Sequence, residues 1–385
     1  MTACPSCFQQ LPADRYAWIC ENAACEKLPD PVATAYIGNP VGGGNLTVEV
    51  KPPEVRRWSP MAVAHCGKCG AVSAPACPHC HYAIPADWRS VDATTIAMNG
   101  ARSTGKSFYI AVAIHQLGQL LSQLGSTIEF GNDRTRDTYK TVYEEPLFEK
   151  LGLIAPTPRS NTANAPTHDP MIFSLGKLAG RQRYLVIRDV AGEEMEDAAA
   201  DAQNLSFLKH ADGVFFMFDP LAISEIRDRL RDLVPQQLSL GGDPKTVLGN
   251  LLRLIGNGTP KVAVIVSKFD ALQALRNVND VGWKGIMSNP GAAIQRDPSL
   301  ESGAYDKNDG ELLSLEVRSL LDKLGAQSFV LSLEQSSGGR GLPHRYFAVS
   351  VLGESPDGDS LSKYGISPFR IVDPLKWVLD SRGIL

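Results

Sequence analysis

Cysteine is missing from about three quarters of this 385-residue chain, since all eight lie between Cys4 and Cys80. Long apolar runs are missing too: stretches such as residues 213 to 218 and 262 to 266 fall far short of the roughly 20 residues that cross a bilayer. The amino terminus, Met1-Thr2-Ala3-Cys4-Pro5, carries no basic segment followed by an apolar one. These absences argue against a membrane protein and predict a cytoplasmic one. Excess charge of either sign is also absent, with 38 Lys+Arg against 42 Asp+Glu and a net charge of -4. Overall charge therefore suggests neither a nucleic-acid polyanion nor an anionic membrane surface as partner. What remains is a chain of 43% hydrophobic residues, long enough for two or three globular units.

The clustered cysteines mark off residues 1 to 90 as a module, and in a reducing compartment an even cysteine count points to metal rather than disulfides. Cys4-x2-Cys7 with Cys20-x4-Cys25, and Cys66-x2-Cys69 with Cys77-x2-Cys80, supply two sets of four thiolates, hence two zinc ions. Sequential pairing is expected in preference to a cross-braced arrangement, because only seven residues separate the last two pairs. His65, His79 and His81 then stay neighbours rather than ligands. A four-thiolate site is closed, so its role is structural. The module holds seven basic and seven acidic residues, and each filled site would add about -2 to that balance. That disfavours a nucleic-acid groove and prefers a platform for a protein partner. Residues 33 to 37 and 46 to 50, flanking Gly42-Gly43-Gly44, are expected to pair as a hairpin.

From Asp92 the texture changes to apolar strand patterns separated by segments of helical spacing. Strands are expected near 94 to 98, 171 to 175, 184 to 188, 214 to 218, 262 to 266 and 347 to 351, with a helix over 107 to 124. Such alternation predicts a mainly parallel six-stranded sheet covered on both faces, a three-layer α/β/α domain over residues 91 to 385. The second and third strands are joined by only Gly176-Lys177-Leu178-Ala179-Gly180, too short for a helical crossover, so they should be antiparallel neighbours. Residues 126 to 153 and 272 to 343 read as insertions.

Three motifs carry chemistry. Gly100-Ala101-Arg102-Ser103-Thr104-Gly105-Lys106-Ser107 matches GxxxxGK[ST], follows a strand and opens a helix, so its N–H groups and the helix N-terminus suit phosphate. Lys106 would span the β and γ phosphates, Ser107 would ligate magnesium, and Phe108 closes the binding segment. Asp189-Val190-Ala191-Gly192 follows the hairpin strand; Asp189 could hold magnesium through water, and Gly192 could offer its N–H to a γ-phosphate. Ser267-Lys268-Phe269-Asp270 follows another strand. Guanine presents N1–H and a 2-amino group, two donors that the Asp270 carboxylate accepts together, while the stem of Lys268 lies along the base.

This motif order, with an antiparallel hairpin before DxxG, resembles the TRAFAC class of P-loop GTPases. Within it, residues 92 to 385 are similar to the bacterial double-GTPase type of GTPase-associated conflict or signalling systems, some of which carry zinc ribbons. The resemblance implies that GTP or GDP binds with magnesium and that Ser350 sits in the base-contact loop. It also implies a switch I threonine as a magnesium ligand: Thr167 is the choice, with Thr162 and Thr157 competing, in a proline-rich polar segment. Where many small GTPases place a water-orienting glutamine, this chain has Glu193, an anionic departure that makes its catalytic role doubtful and hydrolysis slow without help. Arg159, Arg102, an activating protein or a second copy in a homodimer are candidates for the missing cation. The reading is therefore a GTP-hydrolysing switch with a zinc-ribbon module for a protein partner. A GTP-dependent scaffold or assembly protein with little intrinsic hydrolysis is its alternative.

Overall fold

The computed structural model describes residues 2–155, 169–197, 202–232, 241–277, 279–335, 341–353 and 365–385. In the cysteine-bearing segment, β1 (Arg15–Ile19), β2 (Leu46–Val50), β3 (Ala64–His65) and β4 (Val72–Ala76) form one antiparallel sheet in the order β2-β1-β4-β3. The expected hairpin is not there. Residues 33 to 37 belong to a helix, α1 (Pro31–Ile37), and β2 pairs with β1 instead. Local chemistry explains the difference: the Asp30 side chain accepts the N–H groups of Val32 and Ala33, Pro31 occupies the first turn, and Gly38 ends the helix with φ 83°. Together these make a complete set of start and stop signals that outweighs β-propensity.

The second sheet has β5 (Asp92–Asn99), β6 (Glu129–Phe130), β7 (Met171–Leu178), β8 (Arg181–Asp189), β9 (Gly213–Phe218), β10 (Lys261–Val266) and β11 (His344–Ala348), in the order β11-β10-β9-β5-β8-β7-β6. The strands from β11 to β8 are parallel neighbours, whereas β7 and β6 run antiparallel. Every residue of β9, and all of β10 after Lys261, is buried, as expected when both faces are covered. The three-layer expectation therefore holds, with a seventh, two-residue strand added at the edge by the segment near 126 to 153. That strand is too short to show periodicity. The β7–β8 connection is tighter than expected: only Ala179 and Gly180 turn, with φ 49° and 77°, the two left-handed residues of a tight hairpin turn. The last strand starts three residues earlier than its apolar run, because His344 and Arg345 also pair with β10.

The parallel strands end on one edge, and the chemistry-bearing loops leave from it. The helix α2 (Lys106–Gln123) begins directly after the loop that leaves β5. The N-terminal segment is welded onto this domain along β8, from Tyr184 to Arg188. Phe8 and Trp88 share one continuous core with the large sheet. The Trp88 indole donates to Ala3 O at 2.8 Å and its ring packs against Tyr184 of β8 at 5.2 Å. Among the described residues, no helix is long and apolar enough to cross a membrane.

Candidate nucleotide-binding site

Gly100 leaves β5 with φ 143°, and a Cβ there would stand 2.1 Å from Met217 O of β9. Only glycine fits that close passage. Ser103 and Gly105 also have positive φ, 60° and 86°, which curls the loop back over the first turn of α2. Backbone N–H groups arranged in this way form an anion-binding concavity. Lys106 is buried, and its Nζ donates to Gly100 O and Ala101 O, both at 2.9 Å. Burial pushes its pKa down, while the charges of Asp189 and Glu196 pull it up. A desolvated ammonium resting on neutral carbonyls gains strongly from an arriving anion.

Asp189 ends β8 opposite Met98, with Val190 N–H donating to Met98 O at 3.1 Å. Its Oδ2 accepts from the Tyr143 hydroxyl at 3.4 Å. Burial, and next the Asp189 charge, push the Tyr143 pKa far upward, so the phenol stays a donor. Tyr143 lies in the π-helical stretch Tyr139–Glu149 and is a site residue the motifs do not disclose. Periodicity misses it because a π-helix breaks the 3.6-residue repeat. Gly192 is packed hard against the phosphate loop: an added Cβ would fall 2.4 Å from Arg102 N and 2.6 Å from Ala101 C.

From the short helix Gly192–Glu196, two carboxylates reach the same loop. Glu196 Oε1 accepts from the backbone N–H of Arg102 at 3.0 Å and of Gly242 at 3.1 Å, while Oε2 accepts from Arg102 Nε at 3.1 Å. Glu193 Oε1 accepts from Arg102 Nη1 at 3.3 Å. The arginine considered as an internal charge stabiliser is therefore engaged with two glutamates. Thr167, its competitors Thr157 and Thr162, and Arg159 lie outside the described residues.

At the other end of the site, Lys268 takes the left-handed conformation, φ 49°, and its Nζ meets Asp219 Oδ2 at 2.9 Å. The Ser267 hydroxyl donates to Phe218 O at 2.9 Å, and Phe269 N–H donates to Val349 O at 3.0 Å. Ser350 Oγ donates to Asp270 Oδ1 at 2.6 Å and accepts from Gly353 N–H at 3.0 Å. The structure thus brings Asp270 and Ser350 together, although 80 residues separate them in sequence. Asp219 went unnoticed in the sequence; its signal is its place immediately after the fully buried strand β9.

The eight cysteines also gather into two quartets, but not the expected ones: Cys4, Cys7, Cys77 and Cys80 form one, and Cys20, Cys25, Cys66 and Cys69 the other. The pairing is nested, neither sequential nor cross-braced. Its cause is the antiparallel β1–β4 ladder, with Ala17 opposite Ala76 and Ile19 opposite Ala74. Cys20 leaves β1 where Cys69 approaches β4, and Cys77 leaves β4 where Cys7 approaches β1. The sulfur separations suit zinc. A tetrahedron with Zn–S near 2.3 Å has edges of about 3.8 Å. Cys4–Cys80 and Cys20–Cys69 are 3.7 Å apart, and Cys7–Cys77 and Cys25–Cys66 are 3.8 Å apart. Backbone N–H groups of Ser6 and His79 point at Cys4 and Cys77 sulfurs, each at 3.4 Å, which favours thiolates.

Comparison with known proteins agrees with the motifs. The family model described as Double-GTPase 2 matches residues 94–302. A protein of Mycolicibacterium smegmatis, named for a proposed role as the ESX-1 scaffolding and assembly protein SaeC, is 45% identical over 386 aligned positions spanning 100% of both chains. Among solved structures, the S. cerevisiae Ski7 GTPase-like domain, bound to GTP, is 11% identical with a TM-score of 0.31. That match covers 76% of this chain, which spans 50% of the Ski7 chain.

Proposed function

The chain belongs to the Double-GTPase 2 family, and from that premise we propose that it is a cytoplasmic GTP-binding and GTP-hydrolysing switch that governs assembly of protein partners. The observation that carries the guanine assignment is the Asp270 carboxylate, held by Ser350 on the sheet edge that also bears the phosphate loop. In this reading the loop from Gly100 to Phe108 cradles the phosphates, and Lys106 exchanges its two carbonyl partners for phosphate oxygens. Ser107, Asp189 and Thr167 would hold magnesium, which supplies neutralisation of phosphate charge when bound. Asp270 reads the base with Lys268 and Ser350 beside it, and Gly192 reports a γ-phosphate. The domain running from residue 91 to 385 is the switch, and residues 1 to 90, with zinc on eight cysteines, are its structural platform for a protein partner.

A second reading is a scaffold that assembles on GTP and hydrolyses it little. It is favoured by Glu193, which stands where a water-orienting glutamine is common yet pairs with Arg102. The assembly role in the name of the M. smegmatis relative points the same way. Titration with fluorescent GTP, competed by ATP, tests the guanine assignment, and an ATP preference would sink it. Lys106→Ala should weaken GTP binding by about 100-fold, the worth of charged hydrogen bonds to phosphate. Single-turnover assays on the wild-type chain separate the two readings: prompt phosphate release supports the switch, and long-lived bound GTP supports the scaffold.

A further inference from the structure

Arg188 immediately precedes Asp189 at the end of β8, and it is only 5% exposed. A guanidinium stays charged, and burying one without an opposing charge is strongly unfavourable. Yet among the described residues no carboxylate forms an ion pair with it, and its buried Nε has no hydrogen-bond partner. Its contacts are of another kind. Nη1 donates to Ser6 O at 2.9 Å and to the Tyr36 hydroxyl at 2.6 Å, and the guanidinium carbon stands 3.8 Å from the Phe207 ring centroid.

Ser6 lies between Cys4 and Cys7. Four thiolates around one Zn2+ leave a net charge of about -2, lodged here beside an otherwise unpaired buried cation. We propose that the Cys4–Cys7–Cys77–Cys80 site is the counter-charge of Arg188 and that, through this pairing, its zinc braces the Asp189–Gly192 turn. Arg188 is then a positioning residue for Asp189, an inference that rests on the nucleotide reading above. The same metal knuckle grips the far side of the turn as well. Phe8, next to Cys7, meets Phe207 edge-on at 5.2 Å, and Phe207 belongs to the 3-10 stretch Gln203–His210 that follows the turn. Among the described residues, no hydrogen bond or ring contact links the other quartet's knuckles to Arg188 or Phe207. Cys20, Cys25 and Cys66 form a small cluster apart from the main core, and Cys69 is exposed. The two zinc ions should therefore be unequal in what they control.

The test uses the full chain with two readouts: zinc transfer to the chelator 4-(2-pyridylazo)resorcinol, and the dissociation rate of mant-GDP. Arg188→Met should weaken one of the two zinc ions by about 10- to 100-fold, the usual cost of losing an outer-sphere partner, and should speed mant-GDP release at least about fivefold. Arg188→Lys keeps the charge and should recover much of both, which guards against an unfolded methionine variant. Cys69→Ser should free the other zinc yet leave mant-GDP release within about twofold, since it removes a ligand remote from the turn. Unchanged zinc transfer in Arg188→Met overturns the counter-charge. Weakened zinc with unchanged mant-GDP release overturns the brace, as does equal acceleration by Cys69→Ser. A wild-type chain that binds no mant-GDP refutes the nucleotide reading and with it the brace, while the zinc arm still decides the pairing.

Discussion

The phosphate end and the base end of the site are built on opposite plans. At the base end the polar groups are already set for a ligand: Ser350 fixes one oxygen of Asp270, and Ser267 and Phe269 tie the loop to the sheet edge. At the phosphate end the groups that would meet an anion are engaged by the protein itself, Lys106 on two carbonyls and Arg102 on two glutamates. Preorganisation at one end favours selection of a base, because little ordering is left to be done on binding. On the proposed reading, self-engagement at the other favours a response to phosphate, because an arriving γ-phosphate would displace contacts that pin the Gly192–Glu196 helix to the loop. The proposed switch would thus read identity and state by different physics in one site.

The comparison breaks most visibly at Asp270. Asp270→Asn would keep an acceptor for N1–H but turn a donor toward the 2-amino group of guanine, and GTP affinity should fall on the order of 100-fold or more. The same amide complements the N1–H and 2-oxo group of xanthine, so xanthosine triphosphate should become the preferred ligand in a competition titration. Retained GTP preference would mean that Asp270 does not touch the base. A smaller effect is expected from Ser350→Ala, which leaves the carboxylate but removes its support. Loss of one hydrogen bond predicts about 3- to 10-fold weaker GTP binding, with ATP binding untouched. If both nucleotides weaken alike, Ser350 holds the fold of its loop rather than the base reader.

Much of this was legible in the chain because it is local. Loop, helix start and strand edge lie within a few residues of one another in each motif, so spacing alone places Gly100 to Ser107 on a turn that opens a helix and Asp270 after a strand. The hairpin before Asp189 could be inferred from the shortness of its connection. What escaped is either long-range or locally irregular. The cysteine pairing is decided by an antiparallel ladder whose paired residues, Ala17 with Ala76 and Ile19 with Ala74, lie far apart in sequence, and adjacency in sequence misled. Tyr143 sits on a π-helix, Asp219 belongs to no motif, and α1 was hidden because Ala33 to Ile37 looks like a strand until Asp30, Pro31 and Gly38 are weighed as caps.

Glu196 offers the finest cut between the two plans. It accepts from Arg102 both at the backbone and at the guanidinium, and it also accepts from Gly242. Glu196→Gln keeps the shape and most of the hydrogen bonds but cancels the charge that competes for Arg102. Because the arginine is more than half exposed, 57%, the pair is screened and its removal is a modest perturbation. If the phosphate end is closed by its own side chains, the variant should bind GTP about 2- to 5-fold more tightly, with a smaller gain for GDP, since only the γ-phosphate side of the loop is relieved. Parallel titrations with the two nucleotides measure the difference. A fall in GTP affinity would place Glu196 among the groups that support the bound form, and the contrast between a set base end and a self-occupied phosphate end would then be lost.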